Sequence, residues 1–216
     1  MMITFSHVYK TYENTNTNVF KDFSAEISKG EFVIVKGANG SGKTTLINML
    51  LLDVAPDEGT IYAFERDISK IKNRDIPMYR RQMGVIFQDF RLLKDKTVLE
   101  NIMLARMVIG APIKDSKMLI WNMSKLLGVA DLLNRFPGEL SGGQQQKVCL
   151  VRALINNPKI LICDEPTANL NQEATEDLKN LFELIHAQGT TILLSTHDKI
   201  LYGCKNARII ELDKEA

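Results

Sequence analysis

Residues 37–44 read Gly-Ala-Asn-Gly-Ser-Gly-Lys-Thr, which fits the pattern G-x-x-x-x-G-K-[ST] in full. Glycines at 37, 40 and 42 let the backbone turn its N–H groups inward and approach a phosphate closely. Lys43 is placed to reach the β- and γ-phosphates of a nucleoside triphosphate, and the Thr44 hydroxyl to ligate Mg²⁺. The expected cradle is Gly37, Ala38, Asn39, Gly40, Ser41, Gly42, Lys43 and Thr44, with Thr45 behind it. The context supports it. Glu31–Lys36 (EFVIVK) suits a buried strand, and Thr45–Leu52 suits a helix whose positive N-terminal end faces the same anion. An incidental glycine turn would lack that strand and helix.

Two further groups carry chemistry. Ile160-Leu-Ile-Cys-Asp-Glu165 is an apolar run ending in two acids. Asp164 is placed to hold Mg²⁺ directly or through water, and Glu165 to polarise an attacking water as general base. The plainer alternative is that both acids cap a strand. Leu140-Ser-Gly-Gly-Gln144 precedes a helical stretch, so Ser141, Gly142, Gly143 and Gln144 offer a second anion-binding helix start. An ordinary N-cap by Ser141 explains the same residues. If both loops bind phosphate, the economical arrangement is a composite site in which one copy lends its glycine loop and another its Ser-Gly-Gly segment.

The elements that position these groups follow from patterning. Met2–Phe5, Val19–Ile27, Thr60–Phe64, Met83–Phe87, Ile160–Cys163, Thr191–Ser195 and Arg208–Leu212 are expected strands besides the one before the glycine loop. Polar turns are expected at residues 14–18 and Ser28–Gly30. Helix is expected from Val98 to about Leu133, broken near Gly110–Pro112 and at Gly128. More helix is expected within Glu139–Asn156, stopped by Pro158, and across Gln172–Ala187. Strands alternating with helices predict a parallel α/β core with a β-rich early edge and a helical insertion.

Composition narrows the class. Lys+Arg 27 against Asp+Glu 26 leaves a net charge of +1, which argues against a broadly basic nucleic-acid binder. A local basic patch is compatible with that balance. Three cysteines without C-x-x-C spacing suggest neither a disulfide framework nor a zinc site, and fit a reducing cytosol. There is no apolar signal core at residues 1–10 and no run of about 18 apolar residues, so attachment to a membrane would need another protein.

Together the glycine loop, Gln88, the Leu140–Gln144 segment, Asp164-Glu165 and His197 resemble the ATP-binding cassette (ABC) family in sequence, order and approximate spacing. The resemblance spans essentially the whole chain. It implies a P-loop NTPase ABC ATPase fold with a RecA-like core, an antiparallel β subdomain and an α-helical subdomain. The whole of 1–216 would be one domain, with core and β subdomain at about 1–89 and 159–216 and the helical part at about 90–158. Tyr12 aligns with the aromatic that stacks on adenine, with Tyr9 a rival. Gln88 resembles the glutamine that contacts Mg²⁺ and senses the membrane partner. His197 resembles the switch histidine at the γ-phosphate, and Asn169-Leu-Asn171 resembles the loop that crosses the dimer interface.

The implied catalytic set is Lys43, Gln88, Glu165 and His197. The implied metal set is Thr44, Gln88 and Asp164, with ATP and Mg²⁺ as ligands. Phe87-Gln-Asp-Phe-Arg-Leu-Leu93 is similar to the cell-division branch of the family. That branch implies a second copy of the chain and a polytopic membrane protein as partners, at the cytoplasmic face of the membrane, with no nucleic acid. Lipoprotein-release and macrolide-export ATPases share most of these motifs. Two positions depart from the family pattern: Asn171 stands where Asp is usual, and Lys147 where Arg is usual.

Overall fold

The computed structural model describes residues 1–12 and 17–212. In chain order it contains β1 (Ile3–Tyr12), β2 (Thr17–Ile27), β3 (Phe32–Gly37), α1 (Lys43–Leu50), β4 (Glu58–Ala63), β5 (Arg66–Asp67), α2 (Ile76–Arg80), β6 (Met83–Ile86), α3 (Val98–Val108), α4 (Ile113–Leu126), α5 (Gly142–Leu154), β7 (Ile160–Asp164), α6 (Gln172–Ala187), β8 (Thr191–Thr196) and β9 (Ala207–Leu212). The strands form two sheets. One is antiparallel, in the order β2-β1-β4-β5; the other is parallel, in the order β6-β7-β8-β3-β9.

Alternation along the parallel strands explains the layering. Successive side chains of a strand point to opposite faces. Phe32 and Ile34 of β3, with Leu161 and Cys163 of β7, pack into one core with residues of α3 to α6. Val33 and Val35, with Ile160 and Ile162, pack into a second core with α1 and the antiparallel sheet. Both faces are therefore covered, which is why these strands read as continuous apolar runs.

Helix limits follow local chemistry. Thr97 and Glu100 form a capping box at the start of α3. Gly110 and Gly128, both at positive φ, lie just beyond α3 and α4. Asn171 caps α6, whose Leu178, Phe182 and Ile185 face the core. The three cysteines are buried and unpaired. Burial pushes the thiols up, Cys149 to about 11 and Cys204 to about 12, so they act as small apolar groups.

Several limits differ from expectation. The first strand runs on to Tyr12 instead of stopping at Phe5. Register shifts between Phe5 and Val8 and between Val8 and Lys10, with His7 at φ 50°, break the alternation that marks a strand in sequence. The polar turn expected at 14–18 is instead strand at its end, because Thr17 and Asn18 pair with Tyr12 and Thr11; residues 14–16 lie outside the described residues. The helix after the glycine loop starts at Lys43 and ends at Leu50, and Leu52 has turned to φ 60°. The short α2, with Pro77 in its first turn, has no expected counterpart, since five residues are too few to display a helical period.

Candidate functional site

The parallel sheet brings the chemical groups to the C-terminal ends of β3, β7 and β8. Gly42 is the hinge between loop and helix. It has φ 98°, and an added Cβ would meet the Val19 side chain at 2.5 Å. Only glycine fits both constraints. The start of α1 has no side-chain cap and no acid in its first turn, so its free N–H groups and dipole face outward unopposed. Lys43 curls back over the loop and donates to Gly37 O at 2.7 Å and Ala38 O at 3.0 Å.

Glu165 follows β7 directly and has φ 45°. A left-handed backbone costs a non-glycine residue roughly 1–2 kcal/mol, so the surroundings must hold it. Its N–H donates to Ser195 O at 3.0 Å. Lys43 Nζ lies 3.1 Å from Oε1, and His197 Nδ1 lies 2.9 Å from Oε2. The His197 N–H adds a longer contact to Oε2 at 3.3 Å. The carboxylate is 9% exposed and the Lys43 side chain 5%, so this is a buried pair at the floor of an open cleft.

That cleft, about 410 Å³, is lined by Tyr12, Val19, Asn39, Gly40, Gly42, Lys43, Thr44, Thr45, Gln88 and Glu165. Of the two tyrosines considered for base stacking, Tyr12 reaches it and Tyr9 does not. The Tyr12 hydroxyl is 3.3 Å from Thr45 Oγ1. Gly37, Ala38, Ser41, Asp164 and His197 are not among the lining residues. Asp164 is 6% exposed and accepts from Ser195 Oγ at 2.6 Å.

The residues fit a triphosphate and a hard divalent cation. Two buried oxygens here, Ser41 Oγ and Glu165 Oε1, have no aligned hydrogen bond, although Lys43 is near enough to pair with the second. Thr44, Gln88 and Asp164 supply only oxygen donors, with a single carboxylate among them, which suits Mg²⁺ that keeps phosphate and water ligands.

Ser141, Gly142, Gly143 and Gln144 lie elsewhere, in a cleft of about 540 Å³ shared with Asn169, Leu170 and Asn171. Ser141 does cap α5: Gln144 N–H donates to its hydroxyl at 3.3 Å, and Ser141 N–H donates to the Gln144 amide oxygen at 2.9 Å. The cap leaves the N–H groups of Gly142 and Gly143 at the first two helical positions, where no intrahelical acceptor exists. A Cβ on Gly142 would come 2.7 Å from Asn169 O, so glycine also lets that loop close in. The two clefts have no lining residue in common.

Other residues that shape the site gave little sign of it in the sequence. Ser195 sits opposite Asp164 in the β7–β8 register. Arg152 of α5 donates to Phe90 O and Arg91 O, both at 2.6 Å. Asn101, fully buried in α3, donates to Leu93 O, Lys96 O and Thr97 O and accepts from Leu93 N–H. Asn169 donates to Gln88 O at 3.0 Å. Only the β7–β8 register, which the two apolar runs imply, could have pointed to Ser195.

A parallel sheet with a glycine loop between β3 and α1 and an acid pair at the end of β7 is the architecture of a P-loop nucleotide-binding protein. The profile of a family described as ABC transporter matches residues 20–168, and the chain belongs to that family. It is 39% identical over 212 residues to the "Cell division ATP-binding protein FtsE" of Mycobacterium tuberculosis, covering 98% of this chain and 92% of that protein. The protein of the same name from Escherichia coli is 36% identical over 211 residues, covering 98% and 95%. Among solved structures, a dimeric bacterial ABC transporter cassette, MJ0796, superposes with a TM-score of 0.88 at 31% identity, covering 99% of this chain and 95% of that one. A dimer of the same cassette in a post-hydrolysis state with ADP and Pi gives 0.83 at 30% identity, with the same coverage.

Proposed function

We propose that this chain is the ATP-hydrolysing subunit of a membrane ABC complex of the FtsE type, working in cell division with an FtsX-like polytopic partner that controls peptidoglycan hydrolases. The observation that carries the chemistry is Glu165, held between Lys43 and His197 on the cleft that the glycine loop lines. Glu165 takes a proton from the attacking water. His197 fixes the direction of its carboxylate. Lys43 and the loop amides neutralise charge that grows on the transferring phosphoryl group. When bound, Mg²⁺ would be held by Thr44, Gln88 and Asp164, the last directly or through water, and would supply charge neutralisation at the triphosphate. Tyr12 supplies a ring for the adenine.

The second anion-binding helix start supports a sandwich of two copies. Within one copy, Ser141–Gln144 and the glycine loop line separate clefts. ATP would close two copies so that each Ser-Gly-Gly segment meets the other's triphosphate. No helix among the described residues is long and apolar enough to cross a membrane. We place the subunit at the cytoplasmic face as a peripheral protein. The α-helical subdomain, about 90–158, would carry the movement to the partner.

The test is phosphate release by the purified chain, alone and with its membrane partner, beside Glu165→Gln. The variant should bind ATP, lose about 10²- to 10⁴-fold in turnover, and run as a dimer with ATP. Undiminished turnover would remove Glu165 from the role of base.

A further inference from the structure

A separate cleft of about 830 Å³ opens where α2 follows the β4–β5 hairpin. Its walls carry five cations and two acids. Lys70 pairs with Asp67 at 2.9 Å, and Arg74 approaches Asp75 at 3.8 Å. Three positive charges remain. Lys159 donates only to the neutral Gln82 amide oxygen at 2.7 Å and stands 5.0 Å from the centroid of the Phe64 ring. Arg66 and Lys72 have no side-chain hydrogen bond or ion pair among the described residues.

The turn that presents these groups is strained. Ala63 pairs with Arg66, and the two residues between them, Phe64 and Glu65, have φ 52° and 65°. Hairpin loops of this hand favour Asn-Gly, since both positions are left-handed. Phe and Glu pay a steric cost there, and strain of this kind gathers where a side chain must be held in place. Here the Phe64 ring lies 5.9 Å from the Tyr79 ring, beneath Lys159, and Arg66 lines the same cleft.

We infer that this cleft takes the phosphate headgroup of an anionic phospholipid and holds the subunit on the bilayer surface directly, apart from its protein partner. The inference rests on the peripheral location proposed above. A phosphodiester suits one guanidinium fork and two point-charge ammoniums. A lipid fits better than a nucleic acid because the neighbouring surface is apolar. Met78, on the cleft wall, is 60% exposed. On the other side of α2 lie Val108 and Ile109, exposed on the adjoining cleft. Cations beside exposed apolar side chains are what an interfacial surface presents to lipid.

The experiment is co-sedimentation of the purified full chain with partner-free vesicles. One set is phosphatidylcholine alone, and in the other about a third of the lipid is phosphatidylglycerol. Binding should need the anionic lipid and weaken with salt. The triple variant Arg66→Gln/Lys72→Gln/Lys159→Gln should lose about 100-fold in affinity, near fivefold per charge. Its thermal midpoint and phosphate release should match the parent, since none of the three lines the glycine-loop cleft. Inorganic phosphate at matched ionic strength should not strip the protein from vesicles; if it does, the cleft is a free-phosphate site. Equal binding to neutral vesicles, or by the triple variant, overturns the inference. In a third set of vesicles that carry the proposed membrane partner, loss of attachment by the variant there but not on partner-free vesicles would overturn the inference and assign the cleft to an acidic segment of that protein. None of these results bears on ATP hydrolysis, which the parent's phosphate release reads separately.

Discussion

Ser195 Oγ donates to Asp164 Oδ1 at 2.6 Å, across the pairing of β8 with β7. The same hydroxyl lies 3.3 Å from the Glu165 N–H. One side chain thus orders both acids. A hydrogen bond to a charged group contributes about 1.5–3 kcal/mol. Ser195→Ala should therefore lower Tm by roughly 5 °C, and should weaken nucleotide affinity more with Mg²⁺ present than without it. Nucleotide titration in both conditions checks this; an equal loss with and without the metal would leave Ser195 a purely structural residue.

The Lys43–Glu165 pair makes a different kind of prediction. Removing one partner of a buried pair costs about 3–5 kcal/mol, because the other charge is left uncompensated. Lys43→Ala should destabilise the nucleotide-free protein as well as greatly weaken ATP binding. Adding Glu165→Gln should restore much of the stability and none of the affinity. Denaturant unfolding of the two single variants and the double variant forms the cycle. Additive losses would show that the two side chains do not interact in the folded chain.

The sequence was most legible where chemistry is local. The glycine loop, the acids after an apolar run and the Ser-Gly-Gly helix start each need only a few consecutive residues, and each appears at the element end expected for it. The parallel core was legible for a related reason: strands buried on both faces are apolar without interruption, as in Phe32–Val35 and Ile160–Cys163. What escaped depends on distant pairing. Arg152 and Phe90 are far apart in sequence, and neither carries a motif for the other. Beyond Phe5, β1 is held by partners on both sides while bulges erase its alternation.

Asn171 illustrates a departure from the family pattern with a local account. Its side-chain oxygen accepts from Ala174 N–H at 2.9 Å, capping α6. Asn and Asp cap about equally well. Asn171→Asp should thus leave Tm within a degree or so, whereas Asn171→Ala should lose about 1 kcal/mol and 2–4 °C. Any change in turnover on Asn171→Asp then reports on charge in this loop rather than on folding. Thermal melts beside phosphate release separate the two; a large Tm shift for the Asp variant would contradict the cap.

Arg152 ties the signature-bearing helix to the loop after Gln88. Phe90 and Arg91 both have left-handed backbones, at φ 58° and 48°. The Arg152 fork holds both carbonyls at 2.6 Å, and Cys149 Sγ adds a contact to Phe90 O at 3.3 Å. Because α5 begins at the Ser141 cap, a shift of the Ser-Gly-Gly segment is passed along a rigid helix to the loop that starts at Gln88. A lysine keeps the charge but cannot span two carbonyls with a planar fork. Arg152→Lys should therefore leave ATP affinity and unstimulated turnover near the parent values and reduce stimulation by the proposed membrane partner severalfold. Arg152→Ala should do the same and also lower Tm. Phosphate release measured with and without the proposed FtsX-like partner decides it. Full stimulation of the lysine variant would mean that the loop keeps its shape without the fork, and that the coupling runs through Asn101 or Asn169.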